Sequence, residues 1–153
     1  MLNNKDIQIL AHLRQDGRRN LTQISKHTMM PISTIFDRIK KYENNIIKRN
    51  TILIDFKKLG YELKVNILVK TKPENRDEMK KFLEAHFNVN TIYRINNGFD
   101  FMVEGLFRNL LQLQEFQDGM ERVGLLNVQE FYILEEIKEE GFISEPELAK
   151  LLI

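Results

Sequence analysis

The sequence predicts an α+β fold, in which a helix-turn-helix domain, with or without a wing, precedes a domain of order β-α-β-β-α-β. Three observations carry this prediction: short helical patterns up to residue 44, alternating strand and helix patterns after residue 62, and a net charge that changes sign between the two parts. We expect the helix-turn-helix domain over residues 1–50 and a linking strand over 51–61. These are followed by the α+β domain over 62–139 and by a helical tail over 140–153.

The first part of the chain has the spacing of three short helices. Apolar positions predict a helix over about residues 4–16, and Asn20 with Gln23 predicts a capping box for a second helix that runs to Thr28. A third helix is predicted over about 32–44, with Ile35, Ile39 and Tyr42 on its inner face. Ile52 and Ile54 then indicate an extended segment, which we interpret as a wing or a linking strand.

Two short helices joined by a tight turn, after a packing helix, form the helix-turn-helix pattern, whose last helix enters the DNA major groove. Short polar side chains at its start can approach bases, and cations further along can contact phosphates. The candidate DNA contacts are Thr22, Lys26, Ser33, Thr34, Asp37, Arg38 and Lys41. The alternative is a three-helix core with a solvated charged face.

The charge distribution favours the first interpretation. The net charge of +1 conceals 12 Lys/Arg against 5 Asp/Glu over residues 1–60, and 11 against 17 over 61–153. A basic part beside an acidic one suggests that one half binds a polyanion.

The composition narrows the class of protein. With 42% hydrophobic and 29% charged residues, the 153-residue chain can bury one or two small cores. There is no Cys, no apolar run of about 18 residues and no signal-peptide pattern. These points predict a cytoplasmic protein without a membrane partner.

The second part alternates between strand and helix signals. Strands are predicted over 63–71, 89–95, 99–106 and 128–137, with helices over 75–87 and from Leu110 to Met120. The turn Asn96-Asn97-Gly98 joins the middle strands as a hairpin. This order is the ferredoxin-like arrangement, which buries one sheet face against two helices and leaves the other face free as a dimer surface.

The tail contains Ser144-Glu145-Pro146-Glu147, which predicts a capping box and a short helix up to residue 153. That helix either packs on a partner subunit or simply ends the chain.

Motifs of one protein family occur along the chain in the family's order. The first helix carries Leu2, Asp6, Ile9, Leu10, Leu13, Asp16, Gly17 and Arg18, and a small N-cap residue, Asn20, follows. The third helix carries Thr34, Arg38, Ile39, Lys40, Tyr42 and Glu43. The link carries Ile47, Ile54, Asp55, Leu59 and Gly60, and the hairpin carries Gly98, Phe99 and Asp100. Over about residues 2–138 the chain resembles the Lrp/AsnC family, the leucine-responsive and asparagine-responsive regulators of bacteria and archaea.

This resemblance implies a transcriptional regulator of double-stranded DNA that dimerises through its C-terminal sheets and often forms tetramers or octamers. It also implies an amino-acid effector at Gly98, Phe99 and Asp100, with Asp100 accepting the ammonium group. The alternative is that Asp100 caps backbone groups of the hairpin.

The chain departs from the family pattern in the turn before the third helix. Met29 stands where the family normally has Gly, and Pro31 stands where it has Ser. The Gly that usually ends the third helix is missing, so we expect Asn44-Asn45 to supply a left-handed residue.

No catalytic, metal or cofactor site is predicted. His12, His27 and His86 share no metal-ligand spacing, and we expect His12 and His27 on helix surfaces. Two alternatives to a regulator remain: an effector-blind architectural DNA-binding protein, and an enzyme similar to sirohaem decarboxylases that would use His86 and Arg94. The basic N-terminal domain argues against the enzyme.

Overall fold

The computed structural model describes residues 2–152 and divides them into two compact units. One unit combines the residues up to Leu53 with those from Ile137 onward, and the other is Ile54–Glu136. The two-domain α+β fold predicted from the sequence is therefore confirmed. The tail, which we expected either to pack on a partner subunit or simply to end the chain, belongs to the first unit.

The first unit begins with the helix-turn-helix. Its helices are α1 (Asn4–Gln15), α2 (Leu21–Thr28) and α3 (Ile32–Asn45). Local sequence fixes where α1 and α2 begin, because side chains of Asn3 and Asn20 accept hydrogen bonds from first-turn N–H groups. The predicted capping box is confirmed as to its N-cap, since the Asn20 side chain accepts the Gln23 N–H at 2.9 Å.

The core of this unit forms between the three helices. Its buried members are Ile9, Ile24, Met30, Ile35 and Tyr42. The expected left-handed residue at the end of α3 is wrong. Ile46 caps the helix in a right-handed conformation, and the amides of Asn44 and Asn45 instead donate to the carbonyls of Lys40 and Lys41.

The tail packs on the N-terminal helix. The short helix α6 (Pro146–Ala149) buries Ala149 in a cluster with Ile7 and Ala11 of α1. Arg14 and Glu140 add an ion pair of 2.9 Å. The expected capping box is wrong, because the Ser144 hydroxyl donates to the Gly141 carbonyl and Glu145 is the residue that precedes the helix.

The second unit is a four-stranded antiparallel sheet with two helices. In chain order it contains β1 (Leu63–Thr71), α4 (Arg76–Ala85), β2 (Val89–Arg94), β3 (Phe101–Phe107), α5 (Leu110–Val123) and β4 (Leu125–Tyr132). The strands lie in the order β2-β3-β1-β4. This is the predicted ferredoxin-like topology.

One face of this sheet packs against α4 and α5. Alternate residues of β1, namely Val65, Ile67 and Val69, are fully buried there with Val103 of β3 and Phe116 of α5. Their neighbours in sequence point to the other face, as the period of two requires.

Two predicted strands differ in the structure. The last strand spans Leu125–Tyr132 rather than 128–137, and its ladder with β1 ends at the pair Val65–Tyr132, close to the start of β1 at Leu63, so β1 has no partners for the far end of the predicted strand. The linking strand over 51–61 is wrong: residues 51–55 lack regular structure, and Phe56–Leu59 form a 3-10 turn. Within residues 2–152, no strand lies beside this segment to pair with it.

Among the helices of residues 2–152, none has the length and apolar character needed to cross a bilayer.

Candidate nucleic-acid interface and effector site

The solvent side of α2 and α3 carries most of the predicted DNA contacts. Ser33, Asp37 and Lys41 of α3 are exposed, as are Thr22 and Lys26 of α2. The opposite side of α3 is closed, because Ile35 and Tyr42 are buried in the core. The helices therefore present one polar, cation-bearing surface.

Arg38 and Thr34 do not share this full exposure. Thr34 is half-buried, and the Arg38 guanidinium forms a 2.6 Å ion pair with the Asp6 carboxylate of α1. The Tyr42 hydroxyl donates to the same carboxylate oxygen. Arg38 thus joins α3 to α1, which we did not anticipate from its position in the sequence.

This buried cluster perturbs both acidic groups. Burial would raise the pKa of Asp6, but hydrogen bonds from the Asn3 backbone and from Tyr42, together with the Arg38 charge, bring it below its usual value. Burial and the neighbouring carboxylate raise the pKa of Tyr42. Asp6 is therefore ionised and holds three structural donors in place.

One residue of the exposed surface, Phe36, was missed by the sequence reasoning. It is 47% exposed on α3, and the ammonium of Lys40, a predicted contact to the DNA backbone, lies 4.6 Å from the centre of its ring. Helical spacing could have revealed Phe36, since residues three, four and seven positions after Ser33 share its face.

The turn between α2 and α3 contains a strained residue. Met29 adopts φ 52° and ψ 42°, a left-handed conformation that residues other than Gly disfavour. Its side chain is not buried, since 85% of the residue's surface is exposed. The Ser25 hydroxyl closes the turn by donating to the Met30 carbonyl at 2.6 Å.

His12 was expected on a helix surface, and this is wrong. Its ring is buried on α1, where it contacts the guanidinium of Arg19 and lies 5.1 Å from the His27 ring. Burial is the main cause that lowers the pKa of His12. His27 is exposed, as expected.

The predicted effector residues lie at the hairpin between β2 and β3. Asn97 and Gly98 both have positive φ, 65° and 89°, which confirms the predicted turn. Phe99 is half-buried, and a side-chain carbon added at Gly98 would meet no atom within 4 Å. The turn therefore leaves open space beside its backbone.

Asp100 is already engaged within the second unit. One carboxylate oxygen accepts the Thr71 N–H at 2.9 Å, and the other lies 3.2 Å from the Arg76 guanidinium and 3.8 Å from the Lys70 ammonium. The side chain is buried. Asp100 thus ties the hairpin to the end of β1 and the start of α4.

A separate cavity of about 220 Å³ lies at the other end of the same hairpin. Apolar and aromatic residues line it, with the buried Asn88, whose side-chain oxygen has no hydrogen-bond partner. The lining includes Phe56, Leu59, Tyr61, Phe87 and Leu106.

Comparison with known proteins settles the family. The winged helix-turn-helix DNA-binding model matches residues 2–45, and the Lrp/AsnC ligand binding domain model matches residues 64–142. The chain belongs to the Lrp/AsnC family of transcriptional regulators. One relative is the HTH-type transcriptional regulator FL11 of Pyrococcus horikoshii, 34% identical over 76% of this chain and 78% of its own.

Other regulators match over greater lengths. An uncharacterised HTH-type transcriptional regulator of the same organism is 27% identical over 92% of this chain and 96% of its own. A regulator of Neisseria meningitidis, solved in complex with L-Met, superimposes with a TM-score of 0.84 at 20% identity, covering 91% of this chain and 94% of its own. E. coli AsnC gives 0.81 at 20% identity, covering 91% and 96%. These structures share the fold.

Proposed function

We propose that this Lrp/AsnC-family regulator is a cytoplasmic, sequence-preferring DNA-binding protein that self-associates through its second unit and responds to an amino acid or similar small effector. The observation that carries the proposal is the exposed face of α3, where polar and cationic side chains stand beside the helix-turn-helix turn. Such a face matches the shape and the negative charge of the major groove.

Phosphate contacts are tested by the salt dependence of binding. Lys26 and Lys41 are exposed on α2 and α3, so we expect the pair Lys26→Ala and Lys41→Ala to weaken binding to most duplexes. The slope of log affinity against log salt should fall by about 1 for each Lys removed. Arg38 is left intact because it pairs with Asp6. Fluorescence anisotropy at several salt concentrations measures both quantities.

A matched control removes two cations from the other unit. Lys80→Ala with Lys81→Ala changes the same net charge on exposed positions of α4. This variant should keep the wild-type slope. If both double variants behave alike, the assignment of DNA contacts to α2 and α3 is wrong.

For the effector, the proposed site is the turn formed by the exposed Gly98 and the half-buried Phe99, with Asp100 holding the turn in position. The open space at Gly98 and the link from Asp100 to Arg76 support this arrangement. Because the Asp100 carboxylate already has partners, we assign it to positioning rather than to the free capture of an ammonium group. An effector acts by binding one assembly more tightly than another.

Calorimetry with the common amino acids tests this site. We expect a saturable heat that Phe99→Ala weakens, while Leu59→Lys, which alters the cavity at the other end of the hairpin, leaves it unchanged. If Leu59→Lys weakens the heat and Phe99→Ala leaves it unchanged, the effector binds in the cavity instead. No heat with any amino acid would favour the effector-blind architectural protein, which the engaged Asp100 carboxylate also favours.

An enzyme is not proposed. His86, one of two residues that a tetrapyrrole site would need, packs its ring 4.8 Å from Phe116 and 5.5 Å from Phe82. Burial lowers its pKa. These contacts give His86 a role in the packing of the second unit.

A further inference from the structure

The exposed face of α3 contains an apolar element that phosphate binding does not require. Residues 33, 36, 37, 40 and 44 fall on one side of the helix, because positions three and four apart share a face. Among them Phe36 exposes 47% of its surface, and Ile32, one turn earlier, exposes 44%. Both lie in the half of α3 next to the strained turn at Met29.

The Phe36 ring has a cation of the same helix beside it. The Lys40 ammonium lies over the ring, 4.6 Å from its centre, at the i+4 position of the same helix. This cation–π contact places a positive charge beside the exposed ring. An aromatic group with an adjacent cation fits a partner that offers apolar groups within a negatively charged surface.

We propose that Phe36 is a specificity-determining residue that reads the C5-methyl group of thymine in the major groove. That methyl group is the apolar feature among the base-pair edges there, and apolar side chains contact it directly. The flanking phosphates supply the negative charge that Lys40 complements. This inference rests on the proposed function, since it assumes that α3 enters the groove.

Asp37 supports the same orientation of the helix. Its exposed carboxylate follows Phe36 directly, and phosphates would repel it. Base amino groups, such as N4 of cytosine, can instead donate hydrogen bonds to it. When Phe36 and Asp37 both face bases, Lys40 and Lys41 are available to contact the DNA phosphates.

Uracil substitution tests the proposal directly, because uracil differs from thymine only by the missing methyl group. The full chain first selects a site from a random duplex library, and each thymine of that site is then replaced by uracil. We expect the wild-type chain to lose about fourfold in affinity at one or more positions. Phe36→Ala should bind the thymine and uracil duplexes equally at those positions.

Two variants complete the experiment. Phe87→Ala removes an exposed Phe from the second unit and should keep the wild-type ratio of thymine to uracil affinity. Phe36→Leu keeps an apolar side chain and should retain part of that ratio, which also provides a readout if Phe36→Ala does not fold.

The outcomes are distinguishable. A Phe36→Ala variant that keeps the wild-type ratio overturns the inference, as does a wild-type chain that binds duplexes but is indifferent to every methyl group. A wild-type chain that binds no duplex overturns the proposed function itself.

Discussion

At the residue scale, the turn before α3 contains Met29, whose side chain disfavours the left-handed backbone conformation that the turn requires. Met29 holds a left-handed conformation without burying its side chain, so no packing in the described unit compensates for the strain. The sequence indicated this position through the family's Gly. Only the structure shows that the chain keeps the left-handed geometry despite the change.

Met29→Gly should therefore stabilise the protein. Relief of the left-handed strain, less the greater chain entropy of Gly in the unfolded state, gives about 0.5–1 kcal/mol and a Tm higher by about 2 °C. Thermal unfolding followed by circular dichroism measures the shift. Asn97→Gly is the control, because Asn tolerates the φ of 65° found there and little should be gained. A lower Tm for Met29→Gly would contradict this account.

The Asp6 cluster predicts a pH dependence of stability. The folded-state pKa of Asp6 lies below its unfolded value. The contribution of Asp6 to the free energy of unfolding is therefore present above the unfolded pKa and is lost as the pH falls through the folded pKa. Asp6→Asn should therefore cost about 1–3 kcal/mol at pH 7. The difference from wild type should shrink as the pH falls through the acid range below about 4.

Urea unfolding at neutral and acid pH measures that difference. Asp37→Asn, an exposed carboxyl on α3, is the control and should change the unfolding free energy little at either pH. A cost for Asp6→Asn that is independent of pH would mean that the side chain acts through its shape rather than its charge.

At the element scale, the parts of the fold that local sequence determines were predicted well. The starts of α1 and α2 follow from the caps at Asn3 and Asn20, and the hairpin follows from Asn97-Gly98, so these elements need no knowledge of distant residues. The end of β4 and the docking of the tail depend on partners far along the chain. Spacing alone could not show that β4 stops where β1 begins, or that Ala149 meets Ile7.

The same limit applies to the candidate site. Exposed positions of α3 could be predicted from helical spacing, but the pairing of Arg38 with Asp6 joins residues 32 positions apart. The sequence around Arg38 does not indicate that its side chain pairs with α1 rather than facing solvent. The burial of His12 was missed for a similar reason.

The docked tail makes α6 part of the first unit, which mutation can test. Ala149 is 2% exposed, so Ala149→Asp buries a charge against Ile7 and should cost about 3 kcal/mol or more. Hydrogen exchange of the α1 amides should accelerate while that of β1 stays protected. Leu151→Asp, at a position 80% exposed, is the matched control. Equal exchange in both variants would show that the tail adds no stability.

At the scale of the whole molecule, the free face of the sheet carries the proposed self-association. Leu68 of β1 lies opposite Met102 of β3, and Tyr93 of β2 lies on the other side of Met102. Tyr93 is 54% exposed, which is consistent with an apolar surface that a second subunit would cover. The two helices of this unit, α4 and α5, pack on the opposite face.

Leu68→Glu should weaken the assembly at least tenfold, because a carboxylate would be buried in the centre of the patch. Sedimentation over a range of protein concentrations measures the dissociation constant. Lys81→Glu on α4 introduces the same group on an exposed surface of the other face and should leave assembly unchanged. If Leu68→Glu assembles like wild type, the subunits meet elsewhere.

The docked tail also has a consequence for the order of events during synthesis. The residues that cover Ile7 and Ala11 are translated only after the whole of Ile54–Glu136 has been translated. Domains generally fold as units during translation, but the first unit lacks its last layer throughout the synthesis of the sheet unit. A nascent chain would therefore leave Ile7 and Ala11 of α1 uncovered until the residues from Ile137 onward are made.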